Sequence, residues 1–184
     1  VKYRDSTNAG TTAAYIDGTS DSDVVSYAYN AQGQQVYQKD QNGSIIENDY
    51  DTAGRPTQRR VTTLGSGVDG AVRRIATTYT DRDQTLKVSQ YDNATVGSGS
   101  LVDDVKYGYD DWGNITSFAQ DPDSDLDSGA SGVPSYTVSY TYTKATPTNG
   151  AVRIRRTGAS YPGGSDLTYE YASGLDDTSS RVTD

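Results

Sequence analysis

The 184-residue chain has no cysteine and no histidine. Without cysteine it can build neither a disulfide framework nor a thiolate metal site, and its redox compartment is left open. Without histidine it lacks the commonest general base and the commonest metal ligand. A serine nucleophile would therefore have no imidazole to activate it. No apolar run approaches membrane-spanning length, so no membrane span is expected. Basic surface is scarce, and a net charge of −9 argues against sequence-independent nucleic-acid binding, which depends on cations displacing counterions. No signal peptide is visible, because Val1-Lys2-Tyr3-Arg4-Asp5 already reads as the tail of a strand. The chain stops as abruptly at Arg181-Val182-Thr183-Asp184, and a piece of a longer polypeptide is expected.

Branched aliphatics and phenylalanine are scarce enough to suggest disorder at this net charge. Sixteen tyrosines reverse that reading, since each can bury a ring while its hydroxyl stays hydrogen-bonded. Tyr, Thr and Val also suit a pleated, half-buried surface. The composition predicts an all-β protein with an aromatic, partly wet interior.

One unit recurs along the chain. Tyr29, Tyr50, Tyr79, Tyr109, Tyr142 and Tyr171 each have a branched aliphatic residue four positions earlier: Val25, Ile46, Ile75, Val105, Val138 and Leu167. Two positions earlier stand Tyr27, Asn48, Thr77, Tyr107, Tyr140 and Tyr169. This period of two places one face of a strand in fixed register, with the strand ending at the anchor tyrosine. A turn follows. Asn30 to Gly33, Asp51 to Gly54 and Asp110 to Gly113 each open on Asn or Asp, whose side chain can accept from backbone N–H groups two residues on. Each closes on Gly, which adopts positive φ freely, giving a type I turn with a glycine bulge. The copies at Tyr79 and Tyr142 carry Asp83 and Thr146 in the glycine position, and the copy at Tyr171 has Gly174 one residue early. Tyr3-Arg4-Asp5 is read as an eroded copy.

Outgoing strands are predicted from Gln34 to Lys39, Thr57 to Thr63, Thr85 to Gln90, Asn114 to Gln120 and Ala151 to Thr157. The return connections run from the tight Asp40-Gln41-Asn42-Gly43 to the long stretches Asn93 to Ser100 and Asp121 to Pro134. Variable insertion at one end of a hairpin is what a repeat array tolerates. About a dozen antiparallel strands in up-and-down hairpins follow, in a sheet that must curl or pack. Its end strands need covering, which further repeats would do.

Tyr50-Asp51-Thr52-Ala53-Gly54-Arg55-Pro56 and Tyr107-Gly108-Tyr109-Asp110-Asp111-Trp112-Gly113-Asn114 resemble the Tyr-x-Tyr-Asp-x-x-Gly-Arg unit of the YD-repeat, or RHS-repeat, family. Weaker copies extend the resemblance over residues 1–184. The family includes bacterial Rhs polymorphic toxins, insecticidal toxin complexes and teneurins. The resemblance implies a ribbon of strands forming part of a large curled β-shell. It implies a non-catalytic structural role, in which a secreted or cell-surface shell encloses or presents a C-terminal toxin or effector domain of its own chain. An adhesin-like module for cell-surface glycans or proteins is the alternative. The Asp-Pro signature that marks self-cleavage in the family is not matched by the surroundings of Asp121-Pro122.

Candidate chemistry is thin. Asp121, Asp123, Asp125 and Asp127 alternate as calcium-ligating aspartates do, but Leu126 and Gly132 occupy the places of the turn glycine and the bidentate Glu. The competing reading is an acidic, solvated loop tip, and no cofactor is assigned. Asp127-Ser128-Gly129 matches the aspartic-protease tripeptide, without the second Asp-Thr/Ser-Gly that the chemistry requires. The pairs Asp103-Asp104, Asp110-Asp111 and Asp176-Asp177 cannot converge on one bond from a strand, and read as turn and surface charges. Arg59, Arg60, Arg73, Arg74, Arg153, Arg155 and Arg156 read as cross-strand partners for carboxylates, with an anion or acidic-glycan site as the rival.

Overall fold

The computed structural model describes residues 2–3, 25–122, 125–127, 136–145 and 152–171. They form twelve strands and no helix: β1 Lys2–Tyr3, β2 Ser26–Tyr29, β3 Gln35–Lys39, β4 Ile45–Tyr50, β5 Pro56–Thr63, β6 Arg74–Tyr79, β7 Thr85–Tyr91, β8 Leu101–Tyr109, β9 Ile115–Pro122, β10 Tyr136–Ala145, β11 Arg153–Tyr161 and β12 Ser165–Thr168. Among the described residues no helix is long and apolar enough to cross a membrane. The strands follow one another in the sheet in chain order, the expected all-β, up-and-down arrangement. The exception is β1, which pairs parallel with β2, placing Tyr3 beside Tyr29.

The chain divides into two units. The first holds Val1–Asp104 with Asp123–Asp125, and the second holds Val105–Pro122 with Leu126–Asp184. In the first unit, β2, β4 and β6 end on Tyr29, Tyr50 and Tyr79. Each hairpin that follows is bulged beside its anchor. Tyr29 faces Gln35 while Ala28 faces Tyr37, Tyr50 faces Pro56 while Asp49 faces Gln58, and Tyr79 faces Thr85 while Thr78 faces Lys87. The extra residues are Val36, Thr57 and Leu86. In the second unit, Tyr109 ends β8. Two copies differ from the sequence pattern: β10 runs past Tyr142 to Ala145, and β12 stops at Thr168, short of Tyr171. Both copies lack glycine four residues after the anchor, as does the copy at Tyr79, whose strand does end there.

The aliphatic residues four before the anchors do not build a deep core. Val25, Ile75 and Leu167 are exposed, and among the described residues the buried apolar side chains are Ala28, Tyr37 and Ala159. Buried polar and charged residues are more numerous: Ser44, Arg74, Ser89, Asp104, Asp121 and Arg155. Burying such groups is tolerable only where hydrogen bonds and ion pairs meet them, and those bonds link the repeats.

Candidate functional site

Five turns share one geometry. In each, the first residue donates its N–H to the carbonyl four residues on, and the residue three on donates back to the first residue's carbonyl. The pairs are Asn30 with Gln34 and Gly33, Asp40 with Ser44 and Gly43, Asp51 with Arg55 and Gly54, Thr80 with Gln84 and Asp83, and Asp110 with Asn114 and Gly113, at 2.8–3.1 Å. The first residue's side-chain oxygen accepts further N–H bonds. Asn30 Oδ1 takes those of Gln32 and Gln34, Asp51 Oδ1 those of Ala53 and Arg55, and Asp110 Oδ1 those of Trp112 and Asn114. Thr80 Oγ1 plays this part in its turn, accepting from Arg82 and Gln84. Gly33, Gly54 and Gly113 have φ near +80°. Asp83 occupies the same place at φ +68°, so the copy at Tyr79 lost its glycine and kept its turn. Aspartate tolerates this conformation better than most residues. Asp40 to Gly43, at the opposite end of the hairpins, follows the same plan.

These bonds perturb the carboxylates. Asp51 sits below its ordinary value of 3.8, first because of the Arg55 N–H and then because of the Arg55 guanidinium. Asp110 is lowered likewise, first by the Asn114 side-chain amide. Burial raises the phenols of Tyr37, Tyr79 and Tyr109.

Within each unit, side chains then tie neighbouring repeats together. A bulge leaves a strand carbonyl outside the regular ladder, and the next anchor reaches back to it. Tyr50 Oη donates to the Gln35 carbonyl at 2.9 Å, joined there by Asn48 Nδ2 at 3.0 Å. Tyr79 Oη donates to the Pro56 carbonyl at 2.8 Å. In the second unit Tyr142 donates to Ile115 at 2.9 Å and Tyr171 to Arg156 at 2.7 Å. The residue after the turn reaches the other way. Gln34 bonds Asn30 of its own turn and the Gly54 carbonyl of the next. Arg55 in the matching position binds Asp51 of its own turn and Asp83 of the next, each at 2.7 Å, with its guanidinium 4.5 Å from the Tyr79 ring centre. At the opposite end Asn42 Nδ2 donates to the Ser66 carbonyl, and Ser44 Oγ accepts the Gly65 N–H.

The remaining motif residues take structural places. Tyr107 packs edge to face on Phe118 at 5.5 Å, Tyr140 lies under Arg156 at 4.4 Å, and the Tyr169 N–H donates to Thr157. The arginines divide between partners. Arg60 grips Asp49 and Glu47 across β4 and β5, and Arg73 caps the Val61 and Thr62 carbonyls. Arg74 stacks on Tyr91 and donates to Ser98, and Arg155 stacks on Tyr171.

Two acidic expectations are corrected. Asp104 is no surface charge: it is 0% exposed, accepts from Ser89 Oγ at 2.6 Å, and lies 3.5 Å from Lys87 Nζ. Asp121 is no solvated loop tip either, because β9 continues through Pro122 and buries it with Oδ1 unbonded among the described residues. Of the calcium candidates, Asp125 is paired with Lys87 at 3.0 Å and Asp127 with Lys106, while Asp123 lies outside the described residues, as do Ser128, Gly129, Thr146, Gly174, Asp176 and Asp177. Among the described residues no three His, Cys, Asp or Glu side chains are grouped to hold a metal ion.

No family model matches the chain, and no curated protein matches it. Solved structures that match include TcdB2-TccC3-Cdc42 (14% identity, TM-score 0.28) and TcdB2-TccC3 without its hypervariable C-terminal region (16% identity, TM-score 0.26). Each alignment covers 77% of this chain and 9% of the other, so the chain spans under a tenth of their length.

Proposed function

We propose that this chain is a non-catalytic structural segment of an RHS-type repeat shell, one that encloses or presents a C-terminal toxin or effector domain in a secreted or cell-surface protein. The carrying observation is the use made of the motif. The anchor tyrosines at Tyr50, Tyr79 and Tyr142 spend their hydroxyls on carbonyls at the start of the preceding outgoing strand, and Asp51, Asp110 and Arg55 close turns. Groups committed to backbone bonds are supports rather than reagents. The sequence resemblance supplies the enclosed domain, and further repeats are its partners along the chain.

The test uses the polypeptide in the full length its gene encodes. Further repeats and an unrelated C-terminal domain are expected, with that domain resisting added protease until the repeats are denatured. A reading frame without such a domain, or one in which it is cleaved as fast with the repeats folded as unfolded, overturns the proposal.

A further inference from the structure

The ion pairs of Arg55 with Asp83 and of Lys106 with Asp127 join side chains that both stay partly in water. Lys87 and Asp104 differ. The Lys87 side chain is 14% exposed and that of Asp104 0%, with Nζ 3.5 Å from Oδ2. Both belong to the first unit, as do the two residues that complete the group. Ser89, two residues along β7 from Lys87 and on the same face, is buried and donates its hydroxyl to Asp104 Oδ1 at 2.6 Å. Asp125 lies 3.0 Å from Lys87 Nζ on the side open to solvent, being half exposed itself.

In a dry site the desolvation of two ions offsets most of their attraction, which lowers the cost of passing a proton from one to the other. The neutral pair that results is an amine beside a carboxylic acid, the two reactants of an amide. Ser89 is placed to polarise that acid, since its hydroxyl already sits on the oxygen where negative charge would develop during attack. Asp125 is within reach to take a proton from Nζ and hand it on. Dilute in water, such a condensation loses to hydrolysis. Groups held side by side act instead at effective concentrations of about 10⁵ M or more, and Asp104 is sealed from solvent.

We infer that Lys87 and Asp104 condense into an isopeptide bond that staples β7 to β8. The Nζ–Cγ bond forms, the Cγ–Oδ2 bond breaks, and Oδ2 leaves as water. Both hydrogens of that water come from the Lys87 ammonium, one passed directly to Oδ2 and one by way of Asp125, so no oxidant or other reactant enters. The freshly folded chain holds the ion pair, and the amide accumulates from it on standing. An ammonium has no lone pair to attack with until its proton has moved. The product closes residues 87–104 into a covalent loop around the long return connection at 93–100. A shell segment and an isolated module could both carry such a staple, which therefore does not rest on the role proposed above.

Intact-mass spectrometry of the full chain, fresh and after several days at neutral pH, tests this. A growing species lighter by one water is expected. Tryptic digestion of it should yield the Lys87 and Asp104 peptides joined, with cleavage after Lys87 lost. Lys87→Arg keeps the cation without a competent nucleophile and should give no such species. Asp104→Asn should form the same bond with loss of ammonia instead of water. Ser89→Ala should slow formation about a hundredfold, as removal of one preorganised donor does. Circular dichroism checks that the variants fold. Lys106 and Asp127, both far more exposed, should stay unlinked. An unchanged mass in the folded parent overturns the inference, and so does a link mapped from Lys87 to Asp125. Water loss that persists in Lys87→Arg also overturns it, because that marks a succinimide such as Asp69-Gly70 can form.

Discussion

Asp104 gives the sharpest stability test. It is the one fully buried charged side chain described, held by Ser89 Oγ at 2.6 Å and by Lys87 Nζ at 3.5 Å. Truncation by Asp104→Ala leaves Ser89 buried without this acceptor and Lys87 facing a void. Removing one partner of a buried pair costs about 3–5 kcal/mol. Lys87 is 14% exposed and keeps Asp125, itself 50% exposed, so the cost here should sit lower, at about 2–3 kcal/mol. Asp104→Asn keeps an acceptor for Ser89 and gives up the charge, for a loss of about 1–2 kcal/mol. The pair change Lys87→Met with Asp104→Leu replaces the ions with apolar volume and should fall within about 1 kcal/mol of the parent.

Urea unfolding followed by far-UV circular dichroism measures these differences, and hydrogen exchange localises them to β7 and β8. The order expected is Asp104→Ala worst, then Asn, then the double change. If Asp104→Ala moved the midpoint by less than Asp104→Asn, with an unchanged slope, Asp104 would be hydrated and the reading of a buried polar link would fail.

The turns and staples supply the other tests, all by the same unfolding measurement unless stated. Tyr79→Phe deletes only the bond to the Pro56 carbonyl, and should cost about 0.5–1.5 kcal/mol. Asp83→Ala should be less stable than Asp83→Gly by about 1 kcal/mol, because φ is +68° there and only glycine relieves it. Gly54→Ala should destabilise more than Gly33→Ala. Both positions have positive φ, but a new Cβ at Gly54 lies 3.1 Å from Gln34 Nε2, while at Gly33 it meets open space. Asp51 and Asp110 are lowered in the folded chain, so the stability they lend is complete above about 3.8 and drains as pH falls towards their folded values. Asp51→Asn and Asp110→Asn should flatten that acid limb, and an unaltered limb in both would remove these carboxylates as its cause.

The turns were legible because their causes are local. An acceptor side chain after the anchor and a residue able to take positive φ three positions later both stand within one short window. Asp83 hid behind the glycine rule: it fills the conformation and adds a carboxylate for Arg55, a gain that only the next hairpin's position reveals. Asp104 is hidden for a related reason. Adjacent aspartates look like surface charge until Lys87 and Ser89 are brought opposite them, and the insertion at residues 93–100 conceals that register. β10 and β12 do not end at their anchors, whereas β6 does although its turn also lacks the glycine, because Asp83 takes the positive φ there.

Why the anchors at 50, 79 and 142 are tyrosine rather than phenylalanine also follows from their bonds. A turn built on an extra residue detaches a backbone carbonyl from the ladder at the start of β3, β5 and β7. In a half-buried sheet that carbonyl needs a donor. The ring that covers the bulge is already there, from the next anchor, and a hydroxyl at its tip completes the bond at Gln35, Pro56 and Ile115. Phenylalanine would cover the site and leave the carbonyl to water. At these places a repeat finishes the hydrogen bonding of the one before it. An arrangement of this kind rewards extension in both directions and ties the tyrosines to the array, which is the physical case for reading them as architecture.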